Sequence, residues 1–279
     1  MPTRIALFGL IAALALSAAG AGVADAASTP AHARLNTTAV RHDTAVSSNW
    51  SGYVVAGDPA ATKPARFTHV SSRWVQPKAT CSVGSQAFSA FWVGLGGSSE
   101  TSQGLEQIGS EADCSASGRA TYSLWYELLP AASVTIKLKV RPGNVVAASV
   151  TVKGSKVTLQ IRDLSRKTKF TKVVHMSAPD TSSAEWVAEA PSTCNVFGRC
   201  VVLPLANFGS VAFTRATATA NGHAGTINDT AWSATLIQLL SEDMSGVVDP
   251  SQSGNGATPS TLSTDGSAFS ISYQAAATS

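Results

Sequence analysis

The side chains in this sequence that are best suited to chemistry are its glutamates. The chain contains seven of them, and six lie in three short neighbourhoods. These are Glu100, Glu106 and Glu111 around Gln107, then Glu127 at the end of Trp125-Tyr126-Glu127, then Glu185 and Glu189 in one apolar stretch. Carboxylates in apolar, aromatic sequence are costly to bury unless they are paired or functional. The pattern therefore favours acid–base chemistry.

Other catalytic chemistries lack their motifs. There is no His-Glu-x-x-His, which a zinc peptidase of that type needs, and no Gly-x-Ser-x-Gly elbow. The five histidines are scattered and no Cys-x-x-Cys occurs, so the sequence predicts no metal site. No histidine has a local context that identifies it as a catalytic base.

The four cysteines, Cys81, Cys114, Cys194 and Cys200, are read as disulfide-forming. An even count in a chain that leaves the cytosol indicates two bridges. Three pairings are possible, and the pairing of sequence neighbours is the simplest of them.

The elements that must hold these side chains are predicted to be β-strands. Apolar residues alternate over 134–140, and 150–152 and 157–161 flank a tight turn at Lys153-Gly154-Ser155-Lys156. A final pair, 260–264 and 268–273, is separated by Asp265-Gly266, and 243–259 reads as a Ser/Gly-rich loop. With no long 3.6-residue period, the pattern predicts an all-β sandwich of two antiparallel sheets with a concave polar groove.

Alternation also assigns the faces of the stretch 184–189. Glu185, Val187 and Glu189 share one face, and Trp186 and Ala188 share the other. Such a carboxylate-bearing face is either a solvated edge or the floor of a cleft, and periodicity alone favours the solvated edge.

The N-terminus is expected to lie outside the fold. Arg4, an apolar run and Ala24-Asp25-Ala26 predict a signal peptide over 1–26, so that the mature protein is secreted and free of the membrane. Residues 27–45 are polar and patternless, which indicates a propeptide or a flexible arm. The sandwich domain is predicted to span 46–279.

Composition excludes two further classes. Charged residues make up only 13% of the chain and hydrophobic residues 44%, which is wrong for a disordered protein. The net charge is +3, and no Lys/Arg cluster along the sequence is dense enough to predict a nucleic-acid partner.

Several segments together resemble the glutamic endopeptidases of the eqolisin family, to which scytalidoglutamic peptidase belongs. They occur in that family's order along about 46–274 and include the cysteine loop 194–200. The segments are Ser48-Asn49-Trp50-Ser51-Gly52, Phe91-Trp92-Val93-Gly94-Leu95-Gly96-Gly97, Leu105-Glu106-Gln107-Ile108-Gly109, Trp125-Tyr126-Glu127 and Ala184–Pro191.

The resemblance implies a peptidase of two curved seven-stranded sheets with its site on a concave face. Gln107 and Glu189 would be the catalytic pair acting on an activated water in acid, with no metal, cofactor or covalent intermediate. The residues implied to line the cleft are Trp50, Trp92, Trp125, Glu127 and, less directly, Glu111. Trp74, Trp186 and Trp232 are instead assigned to the core.

We also expect that the substrates are proteins or peptides, that the protein is a monomer, and that it is made as a zymogen. Glu106 and Glu185 receive no role from the resemblance and are expected to be structural or solvated. Gly96 stands where fungal members carry an acidic residue, and Leu128-Leu129 replaces an aromatic pair. The alternative reading is a secreted carbohydrate-binding sandwich without catalysis.

Overall fold

The structure, a computed structural model, describes residues 32, 34–35, 37–41, 44–58, 62–99, 102, 104–194, 200–240 and 255–276. The predicted signal peptide and most of the predicted loop 243–259 lie outside this part of the chain. None of the described residues belongs to a helix of the length and apolarity that a membrane crossing requires.

Nineteen strands form in this part of the chain. In chain order they are β1 (Thr37–Arg41), β2 (Thr44–Ser47), β3 (Trp50–Ala56), β4 (Phe67–Val75), β5 (Ala90–Leu95), β6 (Glu106–Cys114), β7 (Ala120–Leu128), β8 (Val134–Ile136), β9 (Val145–Lys153), β10 (Lys156–Asp163), β11 (Thr168–His175), β12 (Ser183–Glu189), β13 (Ser192–Cys194), β14 (Cys200–Val202), β15 (Ser210–Ala220), β16 (His223–Gly225), β17 (Ser233–Leu240), β18 (Gly256–Pro259) and β19 (Phe269–Gln274).

Hydrogen-bonded pairing arranges the strands in two layers. The first layer has the order β8-β7-β6-β5-β12-β3-β17-β2-β1, and the second has the order β11-β10-β9-β4-β15-β19-β18. Strand β17 pairs with both β3 and β18, so it joins the layers into one continuous sheet. The pairings are antiparallel apart from the parallel contact of β17 with β2. The all-β sandwich prediction is confirmed.

The main hydrophobic core lies between the two layers. Trp74, Trp186 and Trp232 belong to it, as predicted. A second, smaller apolar cluster contains Trp50, Trp92 and Trp125 and lies on the other face of the first layer. This face of β3, β12, β5, β6 and β7, which points away from the main core, is called the site face below.

Local sequence explains most of the strand boundaries. The predicted hairpin turn at 153–156 joins β9 and β10, and Gly154 takes the left-handed φ of 60° that this tight turn needs. The predicted strand 134–140 is shorter than expected and ends at Ile136. The prediction of a strand at 260–264 is wrong: the partner of β19 is β18, at Gly256–Pro259, inside the predicted loop.

The arm is the other correction. The sequence 27–45 shows no periodicity, yet it supplies β1 and the start of β2. Strand β1 lies at the edge of the first layer, and β2 lies between β1 and β17. Burial alternates along β2, but its buried residues are Ala45 and Ser47, so the alternation does not appear as an apolar pattern in the sequence.

Candidate active site

Strand β12 lies in the centre of the first layer and carries the site-face glutamates. It pairs with β3 on one side and β5 on the other, and all seven of its residues are buried. Glu185 and Glu189 are both 0% exposed. The interpretation of this face as a solvated edge is therefore wrong, because a central strand has no open edge and this face is covered.

The strand register places Gln107 and Glu189 on the same face. Three rows of paired residues run across β12, β5, β6 and, in part, β7. They are Glu189–Ala90–Glu111, then Val187–Trp92–Gly109–Trp125, then Glu185–Gly94–Gln107–Glu127. Gln107 and Glu189 thus lie on either side of the middle row.

The middle row lacks a side chain at its centre, and this position is called the gap below. Gly109 lies between Trp92 on β5 and Trp125 on β7. A Cβ at this position would lie 2.4 Å from the Phe91 carbonyl oxygen and 2.6 Å from the Trp92 Cβ, so only glycine fits. The rows that carry Glu189 and Gln107 lie on either side of Gly109.

Glu189 is held by two nitrogen atoms. The indole Nε1 of Trp92 donates a hydrogen bond to Glu189 Oε2 at 2.8 Å. The Nδ1 atom of His32 lies 3.1 Å from the same oxygen. Hydrogen bonds to a charged acceptor are stronger than neutral ones, so these contacts orient the carboxylate.

Gln107 is oriented by Glu127. Its Nε2 donates to Glu127 Oε2 at 2.8 Å, while its buried Oε1 has no hydrogen-bond partner among the described residues. Burial raises the pKa of Glu127 to about 7, helped by the Glu189 charge and opposed by His32 and the Gln107 amide. Gln107 Oε1 is therefore a free, buried acceptor beside the gap.

Two tryptophans of the smaller cluster, Trp92 and Trp125, lie beside this gap, and the third, Trp50, packs against Trp92. The rings of Trp50 and Trp92 meet edge to face at 4.8 Å between centroids. Trp125 stacks on the imidazole of His32, with ring centroids 3.5 Å apart and planes 13° apart. All three tryptophans are 0% exposed.

Glu111 lies in the same row as Glu189 and is partly exposed. Its Oε1 accepts a hydrogen bond from Ser123 at 3.1 Å. Burial, followed by the neighbouring Glu111 charge, raises the pKa of Asp113. This end of the site face therefore holds two adjacent carboxyl groups.

Glu106 and Glu185 are two further buried carboxyl groups, and they lie close enough together near the start of β12 for the Glu106 charge to act on Glu185. Both are 0% exposed, so the expectation that they are solvated is wrong and the structural reading remains. Burial raises the pKa of Glu106 to about 8, and it raises the pKa of Glu185 well above its ordinary value. In Glu185 the neighbouring Ser183 hydroxyl offsets this only in part.

Asp180 lies beside this pair and explains one departure from the family pattern. Its backbone N–H donates to Glu106 Oε1 at 3.1 Å. A Cβ at Gly96 would lie 2.4 Å from the Cβ of Asp180, and Gly96 has a φ of 81°. An acidic side chain at position 96 would therefore collide with the carboxyl-bearing residue that already occupies the space.

Sequence reasoning missed His32. It is 2% exposed and contacts Glu189 across 157 residues of sequence. Burial, the largest influence, lowers the pKa of His32, but the nearby carboxylates of Glu189, Glu127 and Glu111 outweigh it, and the pKa is raised overall. Nothing in the sequence around His32 distinguishes it from the other four histidines.

The chain next to His32 also lies along the first layer. The Asn49 side chain donates from Nδ2 to the Arg34 carbonyl at 2.8 Å, and the Leu35 amide donates to the Gly97 carbonyl at 3.3 Å. Leu35 packs against the smaller apolar cluster. His32, Arg34 and Leu35 are thus each held against the first layer, Arg34 and Leu35 through their backbones.

The cysteines are oxidised where the structure describes them. Cys81 and Cys114 form a disulfide, one of the two bridges expected. Strands β13 and β14 place Cys194 opposite Cys200 in the backbone register, and the side chain of Cys194 lies outside the described residues. Among the described residues no three His, Cys, Asp or Glu side chains group as a metal site.

Comparisons with known proteins identify the family. The Peptidase A4 family matches residues 48–260, and a search of curated proteins finds no match. Scytalido-glutamic peptidase with a peptide-based transition state analog is 24% identical, with a TM-score of 0.63 over 81% of this chain and 98% of that one.

Two further structures share the fold. SCP-B, an eqolisin in complex with the tripeptide Ala-Ile-His, is 24% identical, with a TM-score of 0.60 over 81% of this chain and 98% of that one. Aspergilloglutamic peptidase from Aspergillus niger is 21% identical, with a TM-score of 0.53 over 67% of this chain and 99% of that one. The chain therefore belongs to the Peptidase A4 family, the eqolisin-type glutamic peptidases.

Proposed function

We propose that this glutamic endopeptidase hydrolyses peptide bonds in acid through Glu189, Gln107 and a water molecule between them. The observation that supports this most directly is the arrangement of the two side chains around the gap at Gly109. Glu189 is oriented from one side by Trp92, and Gln107 from the other by Glu127. A nucleophile held between an oriented base and an oriented amide is what amide hydrolysis requires.

The reaction proceeds in two proton transfers. Glu189, as the carboxylate, removes a proton from the water while the water oxygen attacks the carbonyl carbon. Gln107 Oε1 accepts a hydrogen bond from the other O–H of the water, and its second N–H donates to the carbonyl oxygen as negative charge develops. The protonated Glu189 then gives its proton to the departing amide nitrogen as the C–N bond breaks, which regenerates the carboxylate.

Glu127 positions Gln107 and limits charge repulsion at the site. Because its pKa is raised to about 7, Glu127 is protonated in acid and still accepts the Gln107 hydrogen bond through its carbonyl oxygen. With Glu127 neutral, ionised Glu189 has one fewer like charge nearby. This supports activity in acid and not at neutral pH.

Substrate is proposed to lie along the site face as an extended peptide. Trp50, Trp92 and Trp125 provide aromatic surface, and Glu111 and Glu127 provide hydrogen-bond acceptors. SCP-B is described in complex with Ala-Ile-His. The stack of the His32 imidazole on Trp125 supports a similar subsite here for a flat, basic side chain.

The segment 27–35 is proposed to keep the enzyme inactive as a zymogen until it is removed. His32 contacts Glu189 and stacks on Trp125, so it occupies the position that water and substrate need. Strands β1 and β2 pair with the sheet, so the inhibitory part of the predicted 27–45 propeptide is the portion before residue 36.

The attraction between His32 and the site depends on pH in both directions. Because the pKa of His32 is raised on docking, the gain is fully present below the ordinary histidine pKa and is lost as pH rises through the raised value. In acid one attraction is lost, because the facing carboxyl group of Glu127, with its pKa raised to about 7, is protonated there. Docking at the acidic pH where the enzyme works therefore lacks one of the charges that raise the pKa of His32.

Secretion through the segment 1–26 completes the proposal. A disulfide between Cys81 and Cys114 supports maturation in an oxidising compartment. Domain boundaries of 1–26, 27–45 and 46–279 are retained for the leader, the propeptide region and the peptidase, with the qualification that β1 and β2 are part of the fold.

The test compares the chain 36–279 with the chain 27–279 on a denatured protein at about pH 3–4, with pepstatin present. Pepstatin-insensitive cleavage by 36–279 is expected. In 27–279, His32→Ala should raise the cleavage rate at about pH 5–6 roughly tenfold, which corresponds to one lost charge-assisted hydrogen bond. Sugar binding without cleavage by either chain would overturn the proposal.

A further inference from the structure

The outer face of the second layer has an unusual charge distribution. Strands β4, β9, β10, β11 and β15 contain a single acidic residue, Asp163, which is 0% exposed. The same five strands contain seven cationic residues: Arg73, Lys153, Lys156, Arg162, Lys169, Lys172 and Arg215. The site face of the other layer carries carboxyl groups, so the two outer faces of the sandwich have opposite character.

Three of these cations surround a hollow on that face. Ala147 on β9 pairs with Arg73 on β4 and with Arg162 on β10, so the two arginines flank a small residue. Their Cα atoms are two strand spacings apart, or about 10 Å. The hollow above Ala147 has a volume of about 370 Å³.

Arg215 reaches the same hollow from β15. The register of β15 against β4 shifts between Thr214 and Thr217, and Arg215 has a left-handed φ of 53°. A bulge of this kind redirects a side chain relative to a regular strand. Arg215 joins Arg73 and Arg162 in the lining of the hollow.

The three guanidinium groups have no hydrogen-bond or ion-pair partner in the part of the chain that the structure describes. None of them donates a hydrogen bond to, or forms an ion pair with, any described residue; the two ion pairs found there both use histidine. Arginine is charged at every pH at which the protein is folded. Three like charges around one hollow repel each other, and an anion placed between them would relieve that repulsion.

The rest of the lining narrows the class of ligand. Ser71, Ser149, Gln160 and Thr217 contribute hydroxyl and amide groups, and the one aromatic ring in the lining is the imidazole of His69, whose Nδ1 lies 2.8 Å from the Thr151 hydroxyl. Hydroxyl and amide groups match sugar hydroxyls, and arginine matches carboxylate or sulfate groups bidentately. Single-stranded nucleic acids are bound by a positively charged groove together with stacking aromatic side chains, and this lining contains no Phe, Tyr or Trp.

We propose that this hollow, the basic groove, binds the carboxylate or sulfate groups of an acidic polysaccharide. The main core separates the basic groove from the site face. Trp186 of the first layer and Trp74 of the second layer both pack in this core, so the groove and the site face lie on opposite outer sides of the sandwich. A polysaccharide held in the groove therefore leaves the peptidase site open. The groove would concentrate the enzyme on an acidic matrix.

The test measures binding of the chain 36–279 to immobilised polygalacturonate, whose only charged groups are carboxylates, and to dextran sulfate, whose only charged groups are sulfates. Neutral dextran is the blank. Wild-type protein should bind at least one of the two acidic polymers, and raising the salt concentration should weaken binding. The variant Arg73→Gln/Arg162→Gln/Arg215→Gln should bind at least tenfold more weakly. Its cleavage of a short soluble peptide should be unchanged.

A matched control variant removes three positive charges from the surface outside the basic groove. The variant Lys63→Gln/Lys78→Gln/Arg119→Gln changes three exposed cations outside the groove and should lose less than threefold in affinity. Equal losses in both triple variants, no binding by wild type, or tighter binding of single-stranded DNA than of either polysaccharide would overturn the proposal. Peptide cleavage is read separately, so a failed groove and a failed peptidase assignment remain distinguishable.

Discussion

The two faces of strand β12 are equally buried but enclose different chemistry. On the core face Trp186 packs in the main core, and its Nε1 donates to the Ser71 carbonyl at 3.0 Å. On the site face both carboxyl oxygens of Glu185 lack a hydrogen-bond partner among the described residues, and Glu189 is bound by Trp92 and His32. One face maximises stability, whereas the other keeps acidic groups in an apolar setting.

The difference shows how a single strand serves both fold and catalysis. Burying an ionisable group without full compensation costs stability but shifts its pKa toward the neutral form. The core face offsets that cost with apolar packing. Substitutions on the two faces should therefore affect different measurements.

The largest expected effect is on the core face. Trp186→Ala should lower the free energy of unfolding by about 3–5 kcal/mol, because it leaves a cavity of indole size in the main core. Chemical denaturation of 36–279 measures this directly. A loss below about 1 kcal/mol would mean that the core face is not the stabilising one.

The next effect is a loss of stability as pH rises. Glu106, with its pKa raised to about 8, and Glu185, with its pKa raised well above the ordinary value, bind protons in the folded state that the unfolded chain has already released. Between the ordinary carboxyl pKa and about 8, the free energy of unfolding should fall by up to about 1.4 kcal/mol per pH unit because of Glu106, and Glu185 should make this fall steeper.

Glutamine at these positions removes the titration. In Glu106→Gln and Glu185→Gln, melting temperatures recorded from about pH 4 to about pH 8 should decline less steeply than in the wild type. Parallel curves for all three proteins would show that these buried carboxyl groups do not set the pH dependence.

A smaller effect than these is expected when a tryptophan N–H donor on the site face is removed, and the comparison is the removal of one on the core side. Trp92→Phe removes the N–H that binds Glu189 and should lower kcat about 10- to 100-fold with less change in KM. Trp74→Phe is the matched control, because its Nε1 donates to Ser110 at 2.9 Å on the core side. Similar kcat losses in both variants would contradict a specific role for Trp92.

Sequence alone predicted the faces but not what covers them. Alternation assigned Glu185, Val187 and Glu189 to one side of β12, and the assignment of Trp74, Trp186 and Trp232 to the core is confirmed. Alternation reports which residues share a face, and it is silent on whether another part of the chain lies over that face. For this reason the burial of Glu185 was missed.

Long-range contacts account for the other errors. His32 meets Glu189 across 157 residues, and no local pattern encodes that contact. Strand β2 depends on pairing with β17, about 190 residues away in sequence, and β1 depends on pairing with β2. By contrast, the β9–β10 hairpin is encoded by its own turn and was predicted correctly.

The most direct test of the central claim compares two identical substitutions on one face of β12. Glu189→Gln and Glu185→Gln in 36–279 are assayed on a denatured protein at about pH 3–4 alongside their thermal melts. Glu189→Gln should lose at least about a thousandfold in turnover with little change in melting temperature, whereas Glu185→Gln should retain activity within about fivefold. Continued cleavage by Glu189→Gln, or loss of cleavage only in Glu185→Gln, would contradict the assignment of Glu189 as the catalytic carboxylate.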